Sequence, residues 1–205
     1  MERKTLIFAS GNKGKIREAA EILEGQYAVI SAAEAGFSEE VEETGTTFQE
    51  NSLLKSQAIW KALDRDCFSD DSGLEVDALG GAPGIYSARY AGLDKNFQHN
   101  IDKVLAQMEG VTDRRARFRC TVTLMLGGTP HFFDGTLEGE IGYERKGDGG
   151  FGYDPIFIPD ILAPGVPNPQ RLSLSEISEE AKNRISHRGV ALRLMGEYLS
   201  RLNGN

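Results

Sequence analysis

The sequence predicts a mixed α/β protein, and three stretches predict it. Thr5 to Ala9 is a compact apolar run followed at once by the loop Ser10-Gly11-Asn12-Lys13-Gly14-Lys15 and then by Ile16, Ala19, Ala20 and Leu23 at helical spacing, which is the order strand, glycine-rich loop, helix. Thr47, with Glu50 three residues on, has the capping-box pattern and opens a helix that continues to about Leu63. Arg117 to Leu126 alternates polar and apolar residues, as a long strand does, with Cys120, Val122 and Leu124 on one face.

The other elements follow in chain order. Tyr27 to Ser31 reads as a second short strand, and an acidic run through Glu39, Glu40, Glu42 and Glu43 leads into Thr44-Gly45-Thr46-Thr47. In the helix that follows, Asn51 and Lys55 are four apart and share a face, whereas Leu54 and Ala58 supply part of the core face. Lys55 is placed either to reach a phosphate or simply on the surface. Asn96 to Met108 has helical spacing in Ile101, Val104, Leu105 and Met108, and His131 to Glu144 returns as one or two strands with a turn near Gly135 or Gly139. Ile161 to Arg171, with Pro164, Pro167 and Pro169, is a rigid surface excursion. Glu179 to Leu202 is helical, with Leu192, Met195, Leu199 and Leu202 as a core stripe and Gly189 as a break or a close approach.

At 205 residues the chain is most easily one domain, 1–205, with ordinary globular proportions of 40% hydrophobic and 26% charged residues. A formal charge of -8 disfavours a broad nucleic-acid surface, while a small anionic ligand needs only a local nest of donors. Cys67 and Cys120 lack metal or redox spacing and read as reduced core thiols. No stretch approaches the roughly 18 apolar residues of a membrane span, and Leu6 to Ala9 is too short for a signal-peptide core. The expected compartment is the cytoplasm, with no membrane partner.

Chemistry concentrates in three places. Cys67-Phe68-Ser69-Asp70-Asp71-Ser72-Gly73-Leu74 is an apolar run ending in two adjacent carboxylates, read as a strand whose last residues present acids before a turn. Crowded acids repel unless a proton or a cation such as Mg2+ relieves them, and Glu43 is a candidate to complete a metal site with Asp70 or Asp71; a solvated Asx turn is the alternative. The Ser10 to Lys15 junction offers backbone N–H groups, the positive end of a helix dipole and two lysines, which suits phosphate, although it lacks the Walker pattern and a Gly-Asn turn capping an ordinary helix looks much the same. Lys146 to Pro155 is a second glycine-rich loop in which Phe151 and Tyr153 either stack on a flat ligand or tuck into the core. Lys182 and then Ser186-His187-Arg188-Gly189 are candidates for anion or base recognition.

Together these stretches, with Glu43-Thr44-Gly45, Asn51 and Lys55, Gly80 through Tyr90, Gly149 through Pro155 and Ile185 through Gly189, resemble the inosine triphosphate pyrophosphatases of the RdgB type, which hydrolyse non-canonical purine nucleoside triphosphates such as ITP, dITP and XTP to the monophosphate and pyrophosphate. The resemblance covers nearly the whole chain. It implies a long central mixed sheet flanked by helices, two lobes with the active site in the cleft between them, a homodimer and a requirement for Mg2+. By the same resemblance Ser10, Gly11, Asn12, Lys13, Gly14, Lys15 and Lys55 hold the triphosphate. Asp71 is the catalytic acid-base residue and a metal ligand, helped by Asp70 and Glu43. Ser72, Phe151, Gly152, Tyr153, Asp154, Lys182, His187 and Arg188 bind the nucleotide. Pro159 to Ser175 is longer and more proline-rich than the family pattern.

Overall fold

The computed structural model describes residues 4–203. A six-stranded mixed sheet runs in the order β2-β1-β3-β4-β5-β6, built from β1 (Lys4–Phe8), β2 (Tyr27–Ser31), β3 (Cys67–Val76), β4 (Arg115–Leu126), β5 (Thr129–Ile141) and β6 (Phe157–Pro159). β1 pairs parallel with both β2 and β3, and β5 pairs antiparallel with β6. The helices are α1 (Lys13–Ile22), α2 (Phe48–Leu63), α3 (Phe97–Gln107), α4 (Glu179–Ile185) and α5 (His187–Asn203). The mixed α/β class expected from the sequence is therefore what the chain adopts.

The chain divides into two compact units, each with its own core. The first comprises the chain up to Asp71, Cys120–Gly135 and everything from Arg188 onward; the second comprises Ser72–Arg119 and Thr136–His187. In the first unit, strand alternation sends successive side chains to opposite faces. Leu6, Phe8 and Phe68, with Cys120, Val122 and Leu124 of β4, pack against Ala19 and Leu23 of α1 and Ala191, Leu192, Met195 and Leu199 of α5. Ile7, Cys67 and Met125 face the other way, onto Ile59 of α2. The rings of Phe8 and Phe68 stack at 4.4 Å across the β1–β3 pair. Both thiols are free and buried.

The second unit gathers Leu74, Val76, Phe118, Leu137 and Ile141 of the strands, Ile101 and Val104 of α3, and Tyr153, Ile156 and Phe157. Glycine is required at position 139, because a Cβ there would fall 2.3 Å from the Ile158 carbonyl of the paired strand.

Several expectations need correcting. β3 does not end at the acids: it continues through Asp70, Asp71, Ser72 and Gly73 to Val76, so the Asx-turn alternative falls as well. β5 passes through Gly135 and Gly139 as one strand, without the expected turn. The excursion from Ile161 contains a small antiparallel pair, β7 (Ile161–Ala163) with β8 (Val166–Pro167). The final helical stretch breaks at Ser186, whose extended backbone (ψ 142) closes α4, and not at Gly189; Leu202, expected in the core stripe, is exposed.

Candidate active site

Two carboxylates adjacent in sequence need separate environments when their strand is regular, because neighbours on a strand point to opposite faces. Asp70 follows Phe68 onto the side of α1 and α5; Asp71 follows Cys67 and Ser69 onto the side of α2. Lys15 Nζ donates to both Asp70 oxygens, at 3.1 and 2.9 Å, and Arg188 Nε donates to Oδ2 at 2.8 Å. Asp70 is only 2% exposed. Burial alone would favour its neutral form, but the Lys15 and Arg188 charges prevail and hold its carboxyl far below the usual range. Arg188 Nη1 also reaches Glu18 Oε2, at 3.4 Å. Arg188, expected to bind nucleotide, is thus engaged with Asp70 and Glu18, and the Asp70 carboxylate, expected among the metal ligands, is taken by two cations on the face away from Glu43 and Asp71.

On the other face Lys55 Nζ donates to Glu43 Oε1 and to the Asp70 carbonyl, both at 2.7 Å, and lies 3.8 Å from Asp71 Oδ1. Lys55 is therefore not a surface lysine. Burial works against its charge, but Asp71, Asp70 and Glu43 together raise its pKa, so it is a fixed cation. Burial pushes the Asp71 carboxyl up to about 6; Lys55 opposes the shift and the Glu43 charge adds to it. The scaffold on this side is built from small hydroxyls. Ser69 Oγ lies between Ser52 and Ser56 of α2, at 3.0 and 2.7 Å from their Oγ atoms, so strand and helix approach closely with their polar atoms satisfied. Asn51, fully buried, accepts from Gly45 N–H at 2.8 Å, tying the loop that bears Glu43 to α2, and its amide favours the charged form of Asp71. Sequence reasoning assigned Asn51 no such role; the signal available was its position one turn before Lys55.

Among the described residues no group of three or more His, Cys, Asp and Glu side chains comes together as a metal site. Glu43 and Asp71 nevertheless share a single ammonium, and hard oxygen donors from one or two carboxylates, completed by water and substrate phosphate, are how Mg2+ is usually bound. The donor set fits that ion.

In the Ser10 to Lys15 loop the helix-capping alternative is realised. Asn12 is the N-cap of α1, its side chain accepting from Gly14 N–H at 2.9 Å and Lys15 N–H at 3.2 Å, and its own N–H donates to Ser10 Oγ at 3.2 Å. Two helix-end donors are therefore spent on the cap. The cationic side chains remain distinctive: Lys13 is exposed, and Lys15 reaches across to Asp70.

The remaining residues lie in the second unit. Ser72 is its first residue, half-buried on β3. Of the two aromatics in the glycine-rich loop, Tyr153 takes the core alternative, 3% exposed with its hydroxyl donating to the Ser87 carbonyl at 2.8 Å, whereas Phe151 stays 58% exposed. Asp154, the buried acid of the loop, accepts from Phe151 N–H and from Lys182 Nζ, both at 2.5 Å. A Cβ on Gly150 would lie 2.6 Å from that carboxylate, and its φ of +86° is a conformation that only glycine adopts readily. Gly152 also has positive φ, at 62°. The His187 ring opens α5 and stacks on Phe118 at 4.9 Å.

A parallel β1–β3 pair with a helix N-terminus after β1, a buried carboxylate neutralised by Lys15 and Arg188, and a second carboxylate beside Lys55 and Glu43 define the class: an α/β protein with cations and carboxylates paired on both faces of one strand. The sequence model of the Ham1 family matches residues 6–198, and the chain belongs to that family. Its relatives include the dITP/XTP pyrophosphatase of Bacillus subtilis, 46% identical over 96% of this chain and 97% of that one, and the dITP/XTP pyrophosphatase of Christiangramia forsetii, 43% identical over 96% and 99%. Among solved structures, the Staphylococcus aureus Ham1 protein superimposes with a TM-score of 0.87 at 44% identity, covering 97% of this chain and all of that one. A HAM1 protein from Coxiella burnetii gives 0.86 at 36% identity, covering 97% of this chain and 99% of that one. The family resemblance drawn from the sequence motifs is borne out.

Proposed function

We propose that this protein is a nucleoside triphosphate pyrophosphatase that hydrolyses non-canonical purine nucleoside triphosphates, dITP, ITP and XTP, to the monophosphate and pyrophosphate, and so cleanses the cytoplasmic nucleotide pool. The names of its relatives support the activity. The observation that carries the chemistry is the division of labour on β3, where Asp70 is locked between two cations while Asp71 keeps a carboxyl raised to about 6 beside Lys55 and Glu43.

Water attacks the α-phosphorus, its proton passes to the Asp71 carboxylate, and the bond to the bridging oxygen breaks so that pyrophosphate leaves. A base titrating near the working pH suits that transfer. Lys13, Lys15 and Lys55, carried or flanked by the capped loop of Ser10, Gly11, Asn12 and Gly14, meet the triphosphate charge, and the fixed positions of Lys15 and Lys55 supply the electrostatic term that dominates phosphoryl transfer. Arg188 acts through Asp70, whose carboxylate it shares with Lys15. Glu43 and Asp71 would hold Mg2+, and Mg2+ bound there would neutralise charge on the departing pyrophosphate. In the second unit, Phe151 offers the base an exposed ring, while Asp154 and Lys182 hold the backbone of Phe151 to Tyr153. Ser72 and His187 supply polar contacts to the nucleotide.

Product analysis with Mg2+ and dITP tests the bond that is cut. Stoichiometric pyrophosphate and deoxyinosine monophosphate are expected; orthophosphate with the diphosphate would overturn the assignment. Side-by-side kcat/KM values for inosine, xanthosine and adenosine triphosphates test the base. A 6-oxo group accepts hydrogen bonds where the 6-amino group of adenine donates them, and such a mismatch can discriminate by about 10⁴-fold. Equal values for inosine and adenosine would remove the case for base selection.

A further inference from the structure

We propose that Phe97 is a positioning residue for the base, acting through Phe151. The inference rests on the reading above in which Phe151 receives the base, and it assigns the part that holds Phe151 in place. Phe151 is over half exposed, and an exposed phenylalanine on a glycine-rich loop has no fixed ring orientation of its own. Its backbone is pinned by Asp154, which accepts its N–H and is in turn gripped by Lys182. Its ring meets Phe97, with centroids 4.5 Å apart and planes at 63°. That edge-to-face contact fixes the ring plane while occupying only one side of it, which is the arrangement a stacking platform needs.

Phe97 is well placed to do this because it sits on a rigid element. It is the first residue of α3, whose N-cap Asn96 accepts from the N–H groups of Gln98 and His99 at 2.9 and 3.3 Å. One turn on, buried Asn100 binds the backbone of Ala88 and Ala91, and Arg145 donates to the Gln98 carbonyl at 3.0 Å, fastening the same turn to the chain just before the loop. The Phe97 ring also lies 3.8 Å from where a Cβ on Gly152 would be, so it packs along the loop backbone as well as against the Phe151 ring. Aromatic pairs of this geometry contribute beyond their buried area, and losing the brace should release the platform without touching the phosphate-binding unit.

The test is steady-state kinetics of the full-length enzyme with Mg2+, comparing Phe97→Ala, Phe97→Tyr, Phe151→Ala and Phe97→Ala/Phe151→Ala. Phe97→Ala should raise KM for dITP by about 5- to 10-fold, the scale of one aromatic pair, with kcat within about twofold. Phe97→Tyr should restore KM. Inhibition by inorganic tripolyphosphate, which has charge but no base, should be unchanged in every variant, and the double variant should be no worse than Phe151→Ala. An unchanged KM in Phe97→Ala while Phe151→Ala raises it would overturn the bracing role and leave the stacking role intact. An unchanged KM in Phe151→Ala would sink the stacking reading itself. Equal weakening of dITP and tripolyphosphate by Phe97→Ala would also overturn the proposal, as the sign of a general loss of structure.

Discussion

At the scale of single residues, Asp70 and Asp71 are chemically identical and behave as opposites. Asp71 pays for its position, since its folded pKa near 6 lies above that of an unfolded aspartate, so the folded state favours the protonated form. The stability this contributes is present below about pH 4 and is lost as pH rises through about 6. Asp71→Asn should therefore raise the thermal midpoint of the metal-free protein at pH 7, by the equivalent of about 1–3 kcal/mol, and the two curves should converge near pH 4. The same substitution should lower kcat by roughly 10²-fold or more, the usual scale for an acid-base group. A variant with normal turnover would make Asp71 a bystander. Asp70 is held well below its ordinary range by Lys15 and Arg188, so its contribution is full above about pH 4 and is lost only as pH falls further. Asp70→Asn leaves partly buried Lys15 without this counter-charge and Arg188 with only the more distant Glu18, and should cost about 3–5 kcal/mol at pH 7, read from denaturant midpoints. A loss below 1 kcal/mol would show that those cations find solvent instead.

At the scale of elements, α2 does two separable jobs. Its start is capped by Thr47, whose Oγ1 accepts from Glu50 N–H at 3.1 Å, while Glu50 reaches back to Thr46 N–H at 2.6 Å. Its first turn also presents Asn51 to Gly45, and so sets where Glu43 lies. A Cβ on Gly45 would fall 2.6 Å from Glu50 Cβ and 2.7 Å from Asn51 Oδ1, too close for any side chain. Gly45→Ala should push the Glu43 segment off the helix and raise the Mg2+ concentration needed for half-maximal activity several-fold. Thr47→Ala should cost about 1 kcal/mol of stability and leave that requirement alone. If both variants shifted the Mg2+ requirement equally, the effect would belong to helix stability and not to placement of Glu43.

At the scale of the whole molecule, ligands that bind only the folded chain raise its stability by mass action, by about 2.7 kcal/mol when present at 100 times their dissociation constant. With a non-hydrolysable dITP analogue to prevent turnover, the thermal midpoint of the unaltered protein should rise more with the analogue and Mg2+ together than with either alone. An additive response would mean that the ion and the nucleotide bind without sharing a site. The homodimer implied by the family resemblance is tested by light scattering on the same sample, where a monomeric mass at every accessible concentration would overturn it.

The sequence by itself determined the local elements and the family. Periodicity placed β2 and α3 within a residue or so of their observed ends, the capping box located α2, and the order of short motifs identified the Ham1 relationship. These are local properties, carried by side chains within one or two turns of each other. Only the tertiary structure decided what the acids do. Adjacent aspartates look like one crowded pair when the strand is taken to end in a turn, and the pairing dissolves once β3 runs on to Val76, because a continuous strand must turn them to opposite faces. Which face then held Lys15 and Arg188, and which held Lys55 and Glu43, was set by contacts between residues as far apart as 70 and 188. The same holds for Phe151 and Tyr153, two residues apart on one loop: one is buried on Ser87 and the other braced by Phe97, and no local pattern distinguishes an aromatic that fills a core from one that faces a ligand.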